Sequence, residues 1–282
     1  MAGVTEIQLA GDGVTLQGMV SRPVSRETEG PGVVLCHGFP SRQRPGAPNL
    51  TYRRLAERIS DDLGFTVLAL SLRGCGESTG DFSLGGWLAD LDVGVRHLAA
   101  EVDGVCLVGS TTGGSLAIRL AVDQPLVKGV AAMAARADFD DWAREPRRFL
   151  QHCRDVGVVT DPSWPPSLGR WADELRRNRP LDHVGRLRDR PLLILHGDQD
   201  RQVPADDARA LARAHGAAEL RIIAGGDHRL RHDPRAVALL LGWLNRRADD
   251  GTAGLVSPAD SPTVGAPVSG TDGAGRIGDV GA

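Results

Sequence analysis

Short apolar runs separated by amphipathic stretches set the pattern of this chain. The runs Val33 to Cys36, Phe65 to Leu70, Val105 to Val108, Gly129 to Met133, Leu192 to Leu195 and Leu220 to Ile223 are β-branched or leucine-rich, and Gly, Pro or polar residues bound them. Runs of that length without polar alternation read as strands buried on both faces. Ahead of them, Glu6 to Leu9 and Val14 to Val20 flank Gly11-Asp12-Gly13, a turn suited to an antiparallel hairpin. Between the runs the apolar period becomes that of a helix. Tyr52, Leu55, Ile59 and Leu63 share one face and stop at Gly64, and Trp87, Leu88, Leu91, Val95 and Leu98 make a second stripe. Helices are also predicted over Gly114 to Val122, Ala205 to His215 and Pro234 to Arg247. Such alternation implies an α/β fold, with a mainly parallel sheet covered by helices on both faces.

Two segments break the rhythm. Residues 135–190 form far too long a connection between two strands, and they carry Trp142, Phe149, Trp164 and Trp171. They are predicted to fold as a small helical lid inserted into a core made by residues 1–134 and 191–248. Residues 249–282 are Gly, Ala, Ser, Pro, Thr and Asp with almost no large apolar side chains. Such a stretch buries too little surface to offset chain entropy, so a disordered tail is expected.

Composition narrows the function classes. At 282 residues and 41% hydrophobic content the chain can bury one large core. Its net charge is −3, Lys128 is the single lysine and the arginines are scattered, which argues against a nucleic-acid or anionic-membrane partner. No apolar run approaches the ~20 residues of a membrane span, and Met1 to Ala10 lacks the pattern of a signal peptide, so a cytoplasmic location is expected. Cys36, Cys75, Cys106 and Cys153 form no C-x-x-C pair, which suggests neither a disulfide framework nor a zinc site. His228 and His232 make an H-x-x-x-H spacing but lack a further ligand, so neither metal nor cofactor is expected. Oligomeric state is not legible in the pattern.

The chemistry concentrates at strand ends. Gly109-Ser110-Thr111-Thr112-Gly113 directly follows the run Val105 to Val108. Small residues two before and two after the centre let the chain double back from strand to helix, so the Thr111 side chain projects from the tip. That is the layout of a nucleophile elbow, with threonine where serine is usual. Shifting the register to Ser110 would put Val108 and Thr112 where small residues are favoured, which makes Ser110 the weaker candidate. Acyl transfer also needs an imidazole base, a carboxylate to orient it and two donors for the oxyanion. His196-Gly197-Asp198-Gln199-Asp200 supplies carboxylates after one strand, and Gly225-Gly226-Asp227-His228 presents an imidazole after the last. Upstream, His37-Gly38-Phe39-Pro40 ends a strand in a loop able to turn the Phe39 N–H toward the elbow. The Thr112 N–H, at a helix start, is the second donor, while Pro40 has no N–H to give. His37 and His196, each before a glycine at a strand end, read as structural.

Taken in order, these segments resemble those of the α/β-hydrolases, and the chain is similar to the esterase and serine-aminopeptidase-like group with its cinnamoyl-esterase and dienelactone-hydrolase relatives. The likeness rests on His37-Gly38-Phe39-Pro40, Arg73-Gly74-Cys75-Gly76-Glu77-Ser78, the elbow, His196 to Asp200 with Val203-Pro204, and Gly226-Asp227-His228. It spans about residues 30 to 245. It implies an α/β-hydrolase fold with a mainly parallel eight-stranded sheet. It also implies Asp200, three residues before Val203, as the acid and His228 as the base, with Asp198 the alternative acid. Two departures stand out. Ser71 occupies a position where many relatives carry Asp, a loss expected to cost turn hydrogen bonds. Thr111 adds β-branching to a backbone conformation that costs about 1–3 kcal/mol.

The expected function is cofactor-independent cleavage of a small ester, thioester or related carbonyl substrate. Thr111 would attack, His228 would take its proton, Asp200 would orient the imidazole, and the Phe39 and Thr112 N–H groups would hold the oxyanion. A second expectation, from a different class, is a non-hydrolytic protein of the same fold that binds a small ligand or partner.

Overall fold

A computed structural model describes residues 2–24, 31–41, 48–187 and 189–253. The first half contains β1 (Gly3–Ala10), β2 (Thr15–Arg22), β3 (Gly32–Cys36), α1 (Pro48–Leu63), β4 (Thr66–Leu70), α2 (Leu84–Ala99), β5 (Val105–Ser110), α3 (Thr112–Asp123) and β6 (Val127–Met133). Four short helices follow: α4 (Asp140–Arg144), α5 (Pro146–Asp155), α6 (Leu168–Arg177) and α7 (Pro180–His183). The chain then makes β7 (Leu192–Gly197), α8 (Ala205–His215), β8 (Glu219–Ile223) and α9 (Pro234–Ala253).

The strands form one eight-stranded sheet in the order β1-β2-β4-β3-β5-β6-β7-β8. Pairings β1–β2 and β2–β4 are antiparallel and all others parallel. Every residue of β3, β5 and β7 is buried, as the apolar runs Val33 to Cys36, Val105 to Val108 and Leu192 to Leu195 within them require. Alternate side chains feed separate cores. Val34, Leu107, Val130 and Ile194 face one side with Trp87, Leu91 and Val95 of α2. Val33, Leu35, Val108 and Leu195 face the other, against Tyr52, Ala56 and Ile59 of α1 and Leu240 and Leu244 of α9. Each such side chain contributes about 1.5–3 kcal/mol, so the sandwich of sheet and helices is a rigid platform.

Strand order reverses beside β3, because β4 lies on one side of it and β5 on the other. In open α/β sheets the crevice at such a point, beyond the carboxyl ends of the strands, is where ligands bind. The loops after β3, β5, β7 and β8 all carry candidate residues there.

The turn after β4 is not short of hydrogen bonds, contrary to the expectation drawn from Ser71. Asp90 of α2 supplies the carboxylate: it accepts from the Arg73 N–H at 2.8 Å and from Arg73 Nη2 at 2.7 Å. Ser71 is buried, its N–H donates to Gln17 O at 2.9 Å, and its carbonyl accepts from Ser78 Oγ at 2.6 Å. A carboxylate from a neighbouring helix thus does the work that a local one would do.

The insertion between β6 and β7 packs through stacked aromatic rings. Phe139 stacks on Trp142, Trp142 on Phe149 at 4.2 Å, and Phe149 on Trp171 at 5.3 Å. Trp164 and Trp171 both direct their indole N–H at Phe82 O. Helix α9 continues to Ala253, past the expected boundary at Ala248, because an existing helix gains one bond for each added residue. The rest of the expected tail, residues 254–282, lies outside the described residues.

Candidate active site

The elbow has the backbone that its glycines foretell. Thr111 sits at φ 54°, ψ −122°, and among the described residues only Ala134 is another non-glycine at positive φ. A conformation of that kind costs about 1–3 kcal/mol and persists only where its surroundings over-determine it. Here the Thr111 N–H donates to Met133 O at 2.8 Å, and Thr111 O accepts from the Gly114 and Ser115 N–H groups. A Cβ at Gly109 would collide with the Gly113 carbonyl, and one at Gly113 with the Cys36 and His37 carbonyls. The two glycines therefore let β5, α3 and the end of β3 close on one another.

Thr111 occupies the N-cap position of α3, yet its hydroxyl makes no capping bond. Oγ1 instead faces Gly38, where any Cβ would strike it. Ser110, the alternative nucleophile, is the last residue of β5 and is buried. The tip of the turn belongs to Thr111.

Beyond the elbow lies the proposed oxyanion loop. Thr112 begins α3, so its N–H has no intrahelical partner, and neither it nor the Phe39 N–H has an intramolecular acceptor among the described residues. The loop is fixed by His37, which is buried. His37 Nε2 lies 3.0 Å from the Leu72 N–H, which can only donate, so Nε2 accepts and Nδ1 carries the proton toward Gly38 O at 2.8 Å. Burial, and to a smaller extent the Arg231 charge, push the His37 pKa down to about 4, so its imidazole is neutral at pH 7. The structural reading of His37 holds.

The candidate acid and base meet between the loops after β7 and β8. His228 Nδ1 lies 2.8 Å from Asp200 Oδ2. An ionised carboxylate only accepts, so Nδ1 holds the proton and Nε2 is left as a base. Asp200 Oδ1 accepts from the Gln202 and Val203 N–H groups at 2.8 and 3.0 Å. Burial works against its charge, but hydrogen bonds from His196, His228, Val203 and Gln202 outweigh it and hold the carboxyl well below the usual carboxylate range. Asp198 is spent elsewhere, accepting from the Gly225 N–H at 2.7 Å in the turn before His228.

Two features escaped the sequence. His196, read as a loop residue, is buried against the acid, with Nε2 at 3.4 Å from Asp200 Oδ2. Its four-residue spacing from Asp200 was the available signal. His152, never singled out, joins Trp142, Phe149, Asp141, Glu145 and Arg148 around an open cleft of about 300 Å³ on the insertion. The Phe39 ring touches that wall, at 5.3 Å from Trp142 and 5.6 Å from His152. One residue thus carries both a candidate oxyanion donor and a contact to the insertion.

Among the described residues no cluster of three or more His, Cys, Asp or Glu is placed to hold a metal, and no helix is long and apolar enough to cross a membrane. The cysteines are free and buried.

Comparison with known proteins bears on this geometry. Ferulic acid-bound Est1E from Butyrivibrio proteoclasticus superposes with a TM-score of 0.66 at 21% identity, covering 88% of this chain and 99% of that one. An esterase from Pyrococcus furiosus gives 0.63 at 18% identity, covering 88% and 92%. In sequence, the magnesium-chelatase 30 kDa subunit of Rhodobacter capsulatus is 26% identical over 77% of this chain and 87% of its own length. The family model described as the alpha/beta hydrolase family matches residues 33–239. Fold, strand-end motifs and that match agree, and the chain belongs to the alpha/beta hydrolase family.

Proposed function

We propose that this protein hydrolyses a small ester, thioester or related carbonyl compound through a covalent acyl-enzyme. The carrying observation is the Asp200–His228 pair, at 2.8 Å, with the second ring nitrogen left over, at the same carboxyl edge of the sheet as a strained Thr111 whose hydroxyl caps nothing. Family membership and esterase neighbours support a hydrolytic reading.

In the reaction, Thr111 Oγ1 attacks the carbonyl carbon and His228 Nε2 takes its proton. The Phe39 and Thr112 N–H groups hold the oxyanion, aided by the N-terminus of α3. As the intermediate collapses, His228 returns the proton to the departing alcohol or thiol. Water, deprotonated by the same imidazole, then attacks the acyl group and restores Thr111. Asp200 stays ionised throughout and holds the ring in one tautomer. Residues 135–190 act as a lid whose aromatic cleft selects one part of the substrate. Four free buried thiols are compatible with action in a reducing cytoplasm.

The test is a panel of nitrophenyl esters with an active-site phosphonate probe. Turnover, with one phosphonate adduct mapped to Thr111, is the expected result; an adduct elsewhere or none overturns it. A second reading, a ligand-binding protein on the same fold, is favoured by the Thr111 methyl group and by the chelatase-subunit name of the bacterial relative. Ligand-induced stabilisation without turnover or labelling is its signature.

A further inference from the structure

We propose that His196 is a positioning residue for the acid–base pair, donating one fixed proton that keeps Asp200 Oδ2 aimed at His228. This rests on the reading of Asp200 and His228 as the working pair.

The argument begins with its tautomer. His196 Nε2 lies 3.0 Å from Val203 O, which has only lone pairs to offer, so Nε2 is the protonated nitrogen. The same nitrogen lies 3.4 Å from Asp200 Oδ2, a contact that favours the carboxylate's charge. Nδ1 is buried with no hydrogen-bond partner among the described residues, and the side chain is fully buried. A proton on Nδ1 would be a buried donor with nothing to bond, which is costly. His196 accordingly presents Nε2 as a single donor of fixed direction. The other carboxylate whose charge reaches it, Asp207 of α8, is engaged by the Ala137 N–H at 2.9 Å and faces Asp138 and Arg136.

That donor closes a ring of contacts. Val203 gives its N–H to Asp200 Oδ1 and its carbonyl to His196, so imidazole and backbone clasp the carboxylate from both oxygens. With Oδ1 taken by two backbone N–H groups, Oδ2 has only His196 and His228 to answer among the described residues. Removing His196 frees the carboxylate to rotate, and a small displacement of a supporting group can cost about 100-fold in rate. The i,i+4 spacing that allows this comes from the Gly197 turn, where a Cβ would collide with the Gly226 carbonyl.

The experiment compares wild type with His196→Leu, which removes the donor, and His196→Gln, whose amide restores one near the same place. The readouts are kcat, KM and the proton resonance of His228 Nδ1 in the resting protein. His196→Leu should lower kcat by about 10- to 100-fold with KM little changed, and should abolish the protected Nδ1 resonance. His196→Gln should recover most of both. An unchanged resonance and kcat in His196→Leu overturn the proposal, as does equal loss in both variants. Should neither variant fold, the ¹⁵N shifts of His196 in the wild type decide, because a proton on Nδ1 contradicts the assigned donor. The resonance needs no substrate, so an inert wild type with an intact His196-dependent signal would sink the hydrolase reading and leave the positioning role standing.

Discussion

Thr111 and Asp200 stand two strands apart at the same edge of the sheet, and they are held in place by different physics. Asp200 is satisfied: its oxygens accept from two backbone N–H groups and from His228, and those bonds favour the charged state. Thr111 is constrained: glycines on either side and the bond to Met133 O force a backbone that threonine would not choose. The Asp200–His228 half, the acid and base of the proposed mechanism, is stabilised by its own bonds, whereas the elbow draws on stability supplied by the two apolar cores. Substitutions should therefore act in opposite senses at the two places, with loss of stability and activity together at the pair and a trade between them at the elbow.

The largest effect should come from the pair. Asp200→Asn should lower kcat by about 10⁴-fold, because an amide no longer fixes the tautomer or balances the charge on His228. Asp198→Asn should be mild, and a worse Asp198 variant in a kcat comparison would move the acid assignment. His228→Ala should cost about 10²- to 10⁴-fold through loss of proton transfer.

Next in size is a pH effect on stability from His37. Its folded pKa lies below its unfolded value near 6.5, so the unfolded chain binds more protons between the two and stability rises with pH there. The contribution is complete above pH 6.5 and falls as pH drops toward 4, by about 3 kcal/mol over the window. Asp200, whose pKa is depressed, adds its own loss only below its ordinary value of 3.8. Urea midpoints of wild type and His37→Asn from pH 7.5 to 4.5 check this, since the variant should show a much flatter profile.

Smaller still is the trade at the elbow. Thr111→Gly should abolish acyl-enzyme formation yet stabilise the fold by about 1 kcal/mol, the relief of strain less the cost of an added glycine. A destabilised Thr111→Gly in a thermal melt would show that the positive φ is not strained. Thr111→Ser keeps the hydroxyl and drops the methyl, so kcat should equal or exceed that of wild type. If wild type is inert and the serine variant hydrolyses esters, the threonine is a block and the binder reading gains. Ser110→Ala should change kcat least of all; if it is the lethal change, the nucleophile is Ser110.

What was legible in the sequence follows the range of the forces involved. Strands β3, β5 and β7 were readable because burial on both faces makes Val33 to Cys36, Val105 to Val108 and Leu192 to Leu195 unbroken apolar runs. The elbow was readable because Gly109 and Gly113 answer a local steric demand. Choosing Asp200 over Asp198 needed the family resemblance, since two carboxylates two residues apart look alike until one meets His228. Asp90 was invisible, because its partner Arg73 lies 17 positions away and nothing local marks the pair. The His196–Asp200 contact was harder to read than its i,i+4 spacing suggests, because a histidine's role depends on which nitrogen holds the proton, and its neighbours decide that.

The sheet order also sets a clock. The anchor of the elbow, Met133 O, and the proposed base, His228, are 95 residues apart in the chain. At synthesis rates of about 5–20 residues per second, the proposed base therefore follows the elbow's anchor by roughly 5 to 20 s. Throughout that interval the Thr111 hydroxyl is an ordinary alcohol, and on the proposed mechanism the loop after the last strand to be made is the one that arms it.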